Sequence, residues 1–68
     1  MRYLIDVIDQ IIEIAPDLQD EFASLRESTL YTAPELMPMR WNMAATILNQ
    51  RALNHPKRDA IAKIFSGT

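Results

Sequence analysis

Three features of this 68-residue chain point to an all-α protein, a compact bundle of about four short helices. Apolar residues recur at three- and four-residue steps, prolines punctuate the chain at positions 16, 34, 38 and 56, and the single glycine is Gly67. The chain is 49% hydrophobic and 24% charged, a globular and not a disordered composition. Its length allows one core, so residues 1–68 are read as one helical domain.

The first helix is placed near residues 3–15. Leu4, Val7, Ile8, Ile11, Ile12 and Ala15 form its apolar stripe, with Asp6, Asp9, Gln10 and Glu13 at the complementary positions. Many of these residues are β-branched, but the spacing fits a strand period of 2 poorly. Ile5 and Ile14 widen the stripe, so this helix should make contacts on two sides. Ala15 precedes Pro16 and is pushed out of the helical region. Pro16 then suits the first turn of a second helix near 17–28, where Asp17, Asp20 and Glu21 complement the N-terminal dipole. Leu18, Phe22, Leu25 and Thr29 supply its buried face.

Ser28 to Ala33 reads as a loop. Thr32 and Glu35 have capping-box spacing for a third helix over 34–53, and Pro34 falls harmlessly in its first turn. Pro38 requires either a kink or a start near Met37. Trp41, Ala44, Ala45, Leu48 and Ala52 make one stripe, with Met43 and Ile47 beside it. Asn54, His55 and Pro56 close this helix and open the last, near 56–66. Ala60, Ile61, Ile64 and Phe65 form its apolar face, and Gly67 is its C-terminal stop.

Small size weighs on stability. Ordering each residue costs roughly 1.5 kcal/mol, and a chain this short comes out near balance. Cysteine is absent, which removes disulfides and thiolate metal sites, and His55 alone cannot build a histidine site. No cofactor or metal is expected. Self-association is the remaining supplement, so a homo-oligomer is expected, with the wide face of the first helix as its motive. Asp6, Asp9 and Glu13 interrupt the N-terminal apolar run, so it is neither a signal-peptide core nor a membrane span. No membrane association is expected, and a cytoplasmic location is.

The residues offer little for catalysis. Asp17, Asp20 and Glu21 are explained by a solvated helix start, Ser24 and Ser28 have no evident base, and no glycine-rich loop could cradle a phosphate. His55, before Pro56, reads as a turn or capping residue. The chain is expected to act by binding and not as an enzyme.

The net charge of −2 conceals a split. Residues 1–33 hold two cations against seven carboxylates, or −5, and residues 34–68 hold five cations against two, or +3. The halves must face each other or offer unlike surfaces to partners. Lys57 and Arg58 stand at the start of the last helix, where the dipole disfavours positive charge, a placement that invites carboxylates or phosphate. Met37 and Met39, with Arg40 and Trp41, are the other partner-binding candidates: methionine suits adaptable surfaces, and Trp and Arg are enriched in interface hot spots. A small regulatory or inhibitory protein with a protein partner is the leading expectation. The alternative is a helical nucleic-acid-binding domain using Arg51, Lys57, Arg58 and Lys63, with residues 41–65 as a helix-turn-helix. Against it stand the acidic net charge and a turn without glycine. Pro34, Glu35 and Leu36, with Arg58, Ile61, Ala62 and Phe65, are similar to the C-terminal half of small YejL-like bacterial proteins of unknown function. That likeness covers under half of the chain. The N-terminal half departs from the pattern at Pro16, and no property is carried over.

Overall fold

The computed structural model describes residues 2–67. They form four α-helices: α1 Leu4–Ile14, α2 Gln19–Leu30, α3 Met37–Arg51 and α4 Arg58–Ser66. Single 3₁₀ turns, Pro16–Leu18 and Pro34–Leu36, lead into α2 and α3. Proline opens each of these turns, where its missing N–H costs nothing. Pro38 lies in the first turn of α3, so the helix starts at Met37 and does not kink.

Two boundaries differ from the sequence expectation. Ser28, Thr29 and Leu30 are helical, not loop. The Thr29 and Thr32 hydroxyls each donate 2.7 Å bonds to the carbonyls four residues back, Leu25 and Ser28, which keeps this polar end in register. Thr32 is therefore spent on α2 and does not cap α3, and the Thr32–Glu35 capping box does not form. The last helix begins at Arg58 because Pro56 and Lys57 lie in a turn. There the His55 ring stands in for a cap: its Nδ1 accepts the Lys57 N–H at 3.0 Å, and its carbonyl accepts the Arg58 N–H at 3.0 Å.

Successive helices run antiparallel. Leu4 at the start of α1 and Thr29 near the end of α2 line one groove. Glu21 at the start of α2 pairs with Arg51 at the end of α3, at 3.2 Å. Helix α1 packs against both α2 and α4, and α2 against α3, whereas the backbones of α3 and α4 stay apart. The result is an up-down-up-down bundle with three closed seams and one open. One core fills it, in which Leu4, Ile8, Ile11 and Phe22 are the largest fully buried side chains. Most of the broad apolar face of α1 is thus covered within its own chain, by α2 on one side and α4 on the other, while Ile5 stays half-buried. Leu18, Leu25 and Thr29 are buried as their spacing requires, but Ala60 lies outside the α4 face and is exposed.

Two basic side chains close the α1–α4 seam reciprocally. Lys57, preceding α4, sends Nζ 2.8 Å to the Ile14 carbonyl at the end of α1. Arg2, preceding α1, donates to the Ile64 and Phe65 carbonyls at the end of α4, at 2.5 and 2.7 Å. Each cation meets orphan carbonyls at the negative end of a helix dipole. Gly67 ends α4 in the left-handed region, φ 82°, where a Cβ would also crowd the Arg2 side chain. Among the described residues no helix is long and apolar enough to cross a membrane.

Candidate functional site

Where the first turns of α1 and α3 meet the end of α2, the surface opens into a groove of about 580 Å³. Ile5, Pro34, Met37, Pro38 and Trp41 line it, with Tyr3 on the rim. Its position follows from the local chemistry. Pro34 opens the 3₁₀ turn that leads into α3, where Met37 and Trp41 line the groove and Trp41 meets two further side chains. The Phe65 ring lies 5.6 Å from it at a 60° tilt, and the Arg2 guanidinium sits 5.3 Å from the centre of its ring system. Tyr3 is 64% exposed at the groove's edge, and Tyr31 and Leu36, the chain neighbours of the lining residues Thr32 and Met37, are 82% and 51% exposed. A volume of this size and an apolar lining are what binding clefts offer.

The expected partner-binding residues are dispersed over the molecule. Met37 and Trp41 share the groove. Met39 is exposed on α3, two residues beyond Met37 and so on a different side of the helix. Arg40 is half-buried; its Nε donates 2.9 Å to the Thr32 hydroxyl and its Nη1 contacts the Met43 sulfur at 3.2 Å, which ties α3 to the end of α2. Lys57 stands at the opposite end of α1, about 15 Å of helix away, capping it. Arg58 lines the open α3–α4 seam. Tyr3, Ile5, Pro34 and Tyr31 were not among the partner-binding residues expected from the sequence. The available signal was that Tyr3, Tyr31 and Leu36 are large apolar residues belonging to no helical stripe.

Electrostatics join the two halves of the chain at the far end. His55 Nε2 lies 3.0 and 3.2 Å from the Asp17 carboxylate oxygens. Because Nδ1 already accepts from the Lys57 N–H, the ring proton sits on Nε2 and is donated to Asp17. That bond holds the Asp17 carboxyl below its ordinary range. Both ring nitrogens are occupied in fixing the turn. With Glu21–Arg51, this pair shows acidic and basic halves in contact. Asp9 belongs to another arrangement, a two-bond clasp with Arg26 at 2.7 and 3.1 Å, which lowers its pKa and raises that of the guanidinium.

The connection between α3 and α4 spans residues 52–57 and is longer than the three- or four-residue turn of a helix-turn-helix. Of the four basic residues assigned to the nucleic-acid alternative, Arg51 is ion-paired and Lys57 bonded to a carbonyl, and Arg58 has Asp59 beside it at 3.6 Å. Among the described residues no cluster of His, Cys, Asp and Glu is placed to hold a metal ion. Compared with family models, curated proteins and solved structures, the chain matches none.

Proposed function

We propose that the chain is a small cytoplasmic regulatory or inhibitory protein, without catalytic activity, that acts by seating a protein partner in the groove between α1 and α3. The observation that carries this reading is the exposure of Tyr3 on a cleft lined by Met37 and Trp41, with Tyr31 and Leu36 exposed next in the chain to the lining residues Thr32 and Met37. Exposed aromatic and methionine side chains beside a preformed pocket are the composition of interface anchors. In a chain this small, leaving them in water lowers solubility with no return in stability unless a partner covers them.

The test is retention from native lysate by immobilised protein, with and without nuclease, comparing wild type with Tyr3→Asp and Tyr31→Asp. Both positions are exposed, so the fold should survive, as circular dichroism can verify. A discrete protein retained by wild type, insensitive to nuclease and lost with either substitution supports the reading. Retention unchanged by both substitutions, or abolished by nuclease, overturns it.

A further inference from the structure

A polar cleft of about 320 Å³ lies where the chain entering α1 meets the end of α4, lined by Arg2, Val7, Gln10, Lys63, Ile64 and Gly67. Two of these residues are cations and none is a carboxylate. They come from three places in the chain: Arg2 precedes α1, Gln10 lies on α1, and Lys63 is in the last turn of α4. Each has hydrogen-bond donors to spare. Arg2 spends Nη2 on the Ile64 and Phe65 carbonyls, which leaves Nε and Nη1 without an acceptor among the described residues. The Lys63 ammonium and the Gln10 side-chain amide have no bonded partner among them either. The carboxylates nearest in sequence do not line the cleft. Asp9 is clasped by Arg26 and Asp59 lies beside Arg58, while Asp6 and Glu13 stand on α1 outside the lining.

We infer that this cleft binds a phosphate group, in the doubly charged form of inorganic phosphate or of a phosphate monoester. Arg2 and Lys63 supply the charge, and the Gln10 amide is a third, neutral donor. Arginine and lysine both serve as phosphate ligands, and the three outer oxygens of a tetrahedral phosphate suit donors arriving from three elements. A carboxylate offers half that charge and two oxygens in one plane, so it leaves a donor unmet. The end of α4 opposes an anion with the equivalent of about half a negative charge. Two full positive charges outweigh it, and Arg2 Nη2 already covers the carbonyls concerned. Glycine at position 67 keeps Arg2 accessible, since a Cβ there would stand 3.0 Å from Nη1, one of the open donors. The same guanidinium sits 5.3 Å from the centre of the Trp41 ring system, so an anion on Arg2 is felt at Trp41.

The test is an NMR titration of isotope-labelled protein at constant ionic strength, with chloride as the balancing anion. Gly67 and Trp41 are the sole glycine and tryptophan of the chain, so their amide and indole signals are recognised directly. At about pH 7.5, where phosphate is mostly doubly charged, inorganic phosphate and phosphoserine should each shift both signals along a saturable curve. Acetate and dimethyl phosphate carry one charge and should bind at least about tenfold more weakly, the scale of one charge-assisted hydrogen bond. Lys63→Ala should weaken phosphate by about the same factor. Gln10→Glu should abolish saturation by placing a carboxylate in the cleft. Arg58→Ala, an equal loss of charge elsewhere, should leave the curve unchanged. Gln10, Arg58 and Lys63 are exposed, so all three variants should fold. The tighter of the two ligands tells a free anion from a phosphorylated side chain, and either supports the site. Equal affinity for acetate and phosphate, a response linear in concentration, or equal losses from Lys63→Ala and Arg58→Ala would each overturn the inference.

Discussion

Single side chains in this protein are placed mostly by partners distant in the sequence. Arg26 clasps Asp9 seventeen residues away, and Asp17 receives a bond from His55 across thirty-eight. Both carboxyls titrate lower in the folded chain than in the unfolded one. The sign follows directly: each contributes stability that is fully present above the unfolded value, about 4, and is lost as pH falls through the lower folded value. For Asp9, whose side chain is 47% exposed, the contribution is that of a surface pair, about 0.2–1 kcal/mol. Urea midpoints should therefore show Asp9→Asn less stable than wild type at pH 7, with the difference closing by about pH 2. A difference that persists unchanged into acid would show that the Asp9–Arg26 bond is not its source. Neither pair was legible beforehand, because ion pairing depends on which helices become neighbours. The core was legible, because burial follows spacing within one helix: Leu4, Val7, Ile8 and Ile11 all lie where the period put them.

Among the helices, existence and order could be read from proline and periodicity, while two boundaries could not. Proline forbids a helix interior, so Pro16, Pro34 and Pro38 marked the starts of α2 and α3 correctly. The polar run from Ser28 carries no apolar period, and only the threonine hydroxyls returning to Leu25 and Ser28 show why it stays helical. Lys57 is the more instructive case. At the start of α4 its charge opposes the local dipole, but its ammonium reaches the end of α1 and meets the favourable pole of a different helix. The inter-helix geometry decides, and the sequence neighbourhood misleads. Replacing Lys57 by Ala should cost about 0.3–1 kcal/mol. Arg2→Ala should cost somewhat more, about 1–2 kcal/mol, because it removes both the α4 cap and the stacking on Trp41. Lys63→Ala, which removes a side chain that neither caps a neighbouring helix nor pairs with a carboxylate, is the control. Equal losses in all three variants, measured by chemical unfolding, would refute reciprocal capping.

For the whole body, the question is what covers the apolar surface that remains. The wide face of α1 suggested a homo-oligomer from sequence, but α2 and α4 bury most of that face and leave Ile5 at the groove, so larger exposed apolar surface lies elsewhere. The candidate is the outer side of α3, where Met39 and Met43 lie four residues apart on one face and are 47% and 41% exposed. We propose that two copies meet there. Light scattering coupled to gel filtration should report a dimer at micromolar concentration, and Met43→Glu should return it to monomer without altering the helical circular-dichroism spectrum. Salt separates this contact from the other one the charge split allows. If the acidic α1–α2 side of one copy instead met the basic α3–α4 side of the next, the contact would be head-to-tail and open-ended. Its attraction would be screened within about 10 Å at 0.1 M salt, so raising salt would disperse the assembly. An apolar contact through Met43 persists or tightens under the same change. A salt-resistant dimer abolished by Met43→Glu is the expected result. A monomer at every concentration, or an assembly that salt dissolves and Met43→Glu leaves intact, would rule this surface out.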